Sequence, residues 1–184
     1  PGTIPRKIDL WKITDGEDWK RFNLSATSLN HKGKEAIRLE ASGGDGLALF
    51  GVLELPTCKL DLSIAGVNQK VGLIVRAKDQ NSYELVSFDV AAEAGKPKLT
   101  IGLGSRSAEV ELPSHLLGEW IGVRVVVDKL FTAVFVNGKN MPDLKVPSDG
   151  QTSNGSLIGL WVGGNSAALV ADLKYIQSKK RDFE

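Results

Sequence analysis

The sequence predicts an all-β chain folded as a two-sheet antiparallel jelly-roll sandwich. Three observations carry this. No segment sustains apolar residues at i, i+3, i+4 and i+7 over three turns, so no amphipathic helix is indicated. Short runs rich in Val, Ile, Leu and Phe recur along the chain, separated by Gly, Asn, Asp, Ser and Pro. Several runs keep one wholly apolar parity, as a sheet with one face on a core requires.

The runs follow in order. Ala36–Ala41 and Gly46–Leu55 are joined by the turn-rich "SGGDG" of 42–46. Lys59–Ile64 comes next. Val71–Lys78 and Tyr83–Val90 flank "KDQNS" at 78–82. In the first of these, Val71, Leu73, Val75 and Ala77 share one parity, with Gly72, Ile74 and Arg76 opposite. Lys98–Leu103 and Ala108–Leu112 flank "GSR" at 104–106. Trp120–Asp128 carries Ile121, Val123, Val125 and Val127 on one parity. Thr132–Asn137 ends in "NGK", a strong turn signal. Leu157–Val162 and Ala168–Ile176 close the set. The longest irregular stretch, 138–156, is the kind of loop that borders functional surfaces. No repeat or linker appears, so residues 1–184 read as one sandwich domain rather than a propeller. The segment 1–35 has no element assigned.

Bulk properties narrow the function. The chain has 184 residues and 42% hydrophobic content, enough for a proper core. Its 23 basic and 22 acidic residues give a net charge of +1. No basic stripe with interleaved aromatics exists, so a nucleic-acid partner is not expected. Lys179, Lys180 and Arg181 read as a solvated tail. Cys58 stands alone, so no intramolecular disulfide forms. No apolar run reaches membrane-spanning length, and no membrane insertion is expected. The chain opens at Pro1 rather than Met, as a processed or shortened product would, and loss of a signal peptide would suit a secreted, periplasmic or cell-surface protein. Oligomeric state is open.

Four stretches resemble the concanavalin A-like lectin/glucanase superfamily, including its laminin G-like and 3-keto-disaccharide-hydrolase-like domains. "VGLIVRAKDQNSYELVSFD" (71–89) is similar to the family's glycine, arginine, tyrosine-glutamate hairpin. "GEWIGVRVVVDKLFTAVFVNGK" (118–139) resembles its Gly-x-Trp strand and the following strand ending in Asn-Gly. "MPDLKV" (141–146) resembles a segment of secreted relatives, and "GSLIGLWVGG" with "LVADLKYI" (169–176) resembles the closing strands. The resemblance implies two antiparallel sheets, one concave. It implies little about activity, since one fold hosts lectins, glycosidases and adhesion modules.

The chemistry-bearing residues are few. A retaining glucanase of this superfamily carries two glutamates on one strand. Glu109 and Glu111 share a face and could meet the ~5 Å separation that retention needs, but such pairs are also ordinary on solvated strands, and no catalytic role is expected of them. His31, His115 and Cys58 show no metal-ligand spacing. No cofactor is expected. The resemblance admits calcium, for which "DGED" (15–18) and "PSDGQ" (147–151) offer oxygen ligands. The resemblance aligns Arg76 and Glu84 with charged positions on the concave face, where they could hydrogen-bond sugar hydroxyls. The alternative is a cross-strand ion pair.

Trp161 completes the candidate ligand set of Trp161, Arg76 and Glu84. In "GSLIGLWVGG", Ile158, Leu160 and Val162 share the core parity, so Trp161 points away between Gly159 and Gly163. Side-chain-free neighbours leave room for a sugar ring to stack. The alternative is that the 138–156 loop or an N-terminal strand covers it. The reading is an extracellular, non-catalytic carbohydrate-binding module with a glycan partner. The alternatives are a glycoside or 3-keto-sugar hydrolase of the same fold, and a laminin G-like protein-binding module.

Overall fold

The computed structural model describes residues 6–51, 57–65, 69–116, 118–147, 155 and 157–177. The chain opens with β1 (Arg6–Lys7), a single helical turn α1 (Lys12–Asp15), β2 (Trp19–Phe22), β3 (Leu24–His31), β4 (Lys34–Ala41) and β5 (Gly46–Gly51). Then follow β6 (Cys58–Ala65), β7 (Gln69–Asp79), β8 (Ser82–Glu93), β9 (Lys96–Leu103) and β10 (Arg106–Glu111). After a 3-10 turn at Ser114–Leu116 come β11 (Ile121–Val127), β12 (Phe131–Val136), β13 (Leu144–Pro147), β14 (Leu157–Val162) and β15 (Ala167–Gln177).

The strands form two antiparallel sheets. The eight-stranded sheet runs β13-β12-β11-β6-β15-β4-β3, with β1 on β15 as well. The seven-stranded sheet runs β10-β9-β8-β7-β14-β5-β2. Each run read from the sequence contains a strand, and the two-sheet jelly roll is the observed fold. Residues 52–55, the end of the expected second run, and the basic cluster 179–181 lie outside the described residues.

Alternation explains the sandwich. Leu60, Leu62, Ile64, Val123, Val125, Val134 and Val136 face inward from one sheet. Leu73, Val86, Phe88, Leu99, Ile101, Ile158 and Leu160 face them from the other. Each such side chain contributes about 1.5–3 kcal/mol when fully buried. Trp19, on β2, lies in this core, whereas Trp11 is half exposed.

The unassigned N-terminal segment supplies strands. β1 pairs with β15, β2 forms one edge of the seven-stranded sheet, and β3 one edge of the eight-stranded sheet. β3 carries an exposed polar side chain at almost every second position, so its sequence lacks an apolar run. Part of the long irregular stretch is the four-residue edge strand β13.

Candidate functional site

The structure brings Arg76 and Glu84 together, but not on an open face. Arg76 adopts φ +51, and the β7–β8 register shifts between Val75 and Asp79. This bulge inverts the alternation expected from the sequence. Ala77 turns to the outer face, and Arg76 turns inward and reaches the opposite sheet. Its Nη1 donates to Glu84 Oε2 at 2.7 Å and to Thr132 Oγ1 at 2.9 Å, and its Nη2 donates to the Asp128 carbonyl. Thr132 Oγ1 in turn donates to Glu84 Oε1 at 3.1 Å. Arg76 is 8% exposed, with both terminal nitrogens hydrogen-bonded.

Trp161 does face away from the main core, as its parity requires. It is nevertheless only 9% exposed. It packs with Leu47, Leu49, Ile74 and Ala77, ringed by Phe22, Tyr83, Leu85 and Leu157. Phe22, which packs against this cluster, belongs to the N-terminal strand β2. The neighbouring glycines are closely packed against the adjoining strands. A Cβ at Gly159 would strike the Ala48 carbonyl, and one at Gly163 would lie 3.0 Å from Lys70 Cβ. Across the ladder, a Cβ at Gly72 would lie 3.2 Å from Trp161 Cε3. Gly72 and Gly163 let the indole approach closely, and Gly159 lets β5 do so. Trp161 and Arg76 also stand apart, because Trp161 opposes Gly72 and four residues of strand span roughly 13 Å.

The other sequence candidates disperse. Glu109 and Glu111 are exposed on the edge strand β10, with Glu109 2.9 Å from Lys98. Cys58 is fully buried, and that burial pushes its thiol pKa up to about 12, against the opposing field of Arg76. In the "DGED" turn, Asp18 pairs with Lys12 at 3.0 Å. Residues 148–151 of "PSDGQ" lie outside the described residues. Among the described residues, no three His, Cys, Asp or Glu side chains converge as a metal site would require.

A groove of about 710 Å³ lies instead on the outer face of the eight-stranded sheet. Directly opposed residues on paired strands share a face, so the ladder defines its floor row by row. One row runs Phe135 (β12), Arg124 (β11), Asp61 (β6) and Lys174 (β15). The next places Gly122 opposite Ser63. At Gly122 an added Cβ would meet nothing within 4 Å, so this part of the floor is open. Phe131 stands on the same side of β12 as Phe135, with Lys145 Nζ 4.4 Å from its ring centroid. Gly138, Lys139 and Asn140, from the loop after β12, form part of the lining.

Two ion pairs organise the floor. Arg124 Nε donates to Asp61 Oδ1 at 2.6 Å, and Nη2 donates to Oδ2 at 2.8 Å. This bidentate geometry fixes both planes. The hydrogen bonds that Arg124 donates to Asp61 hold the guanidinium pKa above its ordinary value, against the effect of burial. Lys34 Nζ lies 2.6 Å from Asp172 Oδ2. Asp172 sits at φ +54 in a second bulge, where the β15–β6 register shifts between Ala171 and Lys174. Lys34 also lies 5.7 Å from the ring centroid of Trp120, whose Nε1 donates to the His31 carbonyl at 3.0 Å. A second hollow, reaching Lys7 and Trp11, shares Lys34 and Asp172 with the groove.

Such a surface offers paired charges that can exchange hydrogen bonds with hydroxyls, beside half-buried aromatic rings. None of its residues was singled out from the sequence for binding. The parity that exposes Gly122 and Arg124 opposite Ile121–Val127 was legible. Their meeting with Asp61, Asp172 and Lys174 was not.

No family model matches the chain, and no curated protein matches it. Solved structures do share its fold. A protein of unknown function with a galectin-like fold from Bacillus subtilis superposes with a TM-score of 0.58 at 13% identity, covering 96% of both chains. The carbohydrate-binding module CBM66 from Bacillus subtilis gives 0.53 at 14% identity, covering 88% of this chain and 96% of its own. The exoplasmic/lumenal domain of VIP36, in its form with Ca2+ and Man3GlcNAc bound, gives 0.54 at 11% identity over 88% and 84%. The chain is similar to these in architecture: a lectin-like jelly roll of two antiparallel sheets.

Proposed function

We propose that the chain is a non-catalytic carbohydrate-binding module, one sandwich over residues 1–184, acting outside the cell or in a lumenal compartment. The glycan lies on the outer face of the eight-stranded sheet. The observation that carries this reading is the open floor at Gly122, framed by the Arg124–Asp61 pair, Ser63 and Phe135. The neighbours' titles add support, since one is a carbohydrate-binding module and another holds a mannose-containing glycan. Asp61 and Asp172 each sit in an ion pair. A glycosidase needs one carboxyl held protonated, and an adjacent cation opposes that, which favours binding over hydrolysis. In this reading Arg76, Glu84 and Trp161 hold the sandwich rather than the ligand.

The test is a glycan panel, run with and without calcium, on the wild type and Gly122→Phe. The phenyl ring enters open space, so the melting temperature stays unchanged, while binding of any captured glycan falls at least tenfold. Undiminished binding by Gly122→Phe would place the ligand elsewhere.

A further inference from the structure

This inference rests on the glycan-binding reading and adds the charge of the ligand. The row Phe135–Arg124–Asp61–Lys174 continues into β1, where Lys7 stands directly opposite Lys174. Opposed residues on antiparallel strands have Cβ atoms about 4.5–5.5 Å apart, and like charges there repel. Among the described residues, neither lysine forms an ion pair with a carboxylate. Of the cations that line the groove, Lys34, Arg124 and Lys139 are each paired, with Asp172, Asp61 and Asp143. The Lys7–Lys174 step is therefore where this face carries positive charge that no carboxylate among the described residues meets.

The geometry points to an acidic glycan as the ligand: a sugar chain bearing carboxylate or sulfate groups. One anionic group seats between Lys7 and Lys174, which removes their repulsion. The adjoining ring lies along Arg124–Asp61 and Phe135. Lys7 lines the second hollow and Lys174 the groove, and the two hollows share Lys34 and Asp172. A chain of several sugars can therefore continue past the lysines. Asp61 and Asp172 accept hydrogen bonds from hydroxyls, whereas a uniformly charged phosphate backbone would meet both carboxylates.

Titration calorimetry against two matched pairs tests this. One pair is tetragalacturonate and its neutral methyl ester; the other is a sulfated galactan oligosaccharide and its desulfated form. The expected result is at least tenfold tighter binding of the acidic member of one pair, weakening as salt rises. The preferring pair identifies carboxylate or sulfate. Lys174→Gln, an exposed change, should remove that preference. Equal affinity within both pairs overturns the inference while leaving the glycan reading standing. So does an unaltered preference in Lys174→Gln, or equally tight binding of polyglutamate. Failure of the whole glycan panel, acidic and neutral, overturns both.

Discussion

Arg76 of β7 and Thr132 of β12 belong to different sheets, yet 2.9 Å separates guanidinium from hydroxyl. With Glu84 between them, they bolt the two layers together at this end of the sandwich. The Arg76 and Glu84 side chains are 10% and 20% exposed. Glu84→Ala leaves the buried cation without its carboxylate and should cost about 3–5 kcal/mol. Replacing both residues with apolar ones of similar volume should cost much less. Urea unfolding of the single and double variants checks this, and a single variant within about 1 kcal/mol of wild type would contradict it.

Trp161 gives a second stability prediction. Trp161→Ala empties the outer cluster and should cost about 3–5 kcal/mol, lowering the melting temperature by roughly 6–20 °C. Glycan affinity of the folded fraction should stay the same. Gly72→Ala forces a Cβ 2.7 Å from both Leu85 Cδ1 and the Val86 carbonyl, and overpacking of this kind should cost about 1–3 kcal/mol. Thermal melts paired with ligand titration separate a structural tryptophan from a binding one.

The sheets were legible because alternation is a local property. Ile158, Leu160 and Val162 occupy the core as their parity requires. The reading failed where one residue breaks the alternation. Nothing in "VGLIVRAKD" marks Arg76 as left-handed, yet that residue redirects both itself and Ala77. The groove escaped for a different reason. Asp61, Arg124 and Lys174 lie on three strands far apart in sequence, and a single chain shows none of their pairings. Phe135, inside the run Thr132–Asn137, carried no binding signal because its exposure depends on which sheet β12 joins.

Cys58 makes stability depend on alkaline pH. Its pKa is raised from 9.0 in the unfolded chain to about 12 in the fold. The folded state keeps the proton that the unfolded state releases, so this contribution is fully present below pH 9 and is lost as pH rises toward 12. The slope in that window approaches 1.4 kcal/mol per pH unit. Urea midpoints between pH 8 and 11 should fall more steeply for wild type than for Cys58→Ala. The native thiol should also resist Ellman's reagent until the chain is unfolded.

The Arg124–Asp61 pair should behave in the opposite way to Arg76–Glu84. Its side chains are 44% and 27% exposed, so solvent screens it, and Asp61→Asn should change stability by less than about 1 kcal/mol. On the glycan reading, the same change should weaken binding about tenfold, because the guanidinium loses its fixed orientation. Calorimetry and melting on one variant report both numbers. A large loss of stability with unaltered affinity would assign the pair to the scaffold.

The strand order has a consequence for how the molecule is made. β14 lies between β7 and β5, and β15 lies between β6 and β4. Strands made late, β14 and β15, are therefore central, one in each sheet. Until β14 has emerged the seven-stranded layer is two separate halves with an open seam, and until β15 has emerged so is the eight-stranded layer. Non-local pairings of this kind close slowly, and exposed seams invite misassociation during synthesis. The sandwich should thus acquire protease resistance only after β15 has left the ribosome, in one late step, rather than piecewise as the chain grows.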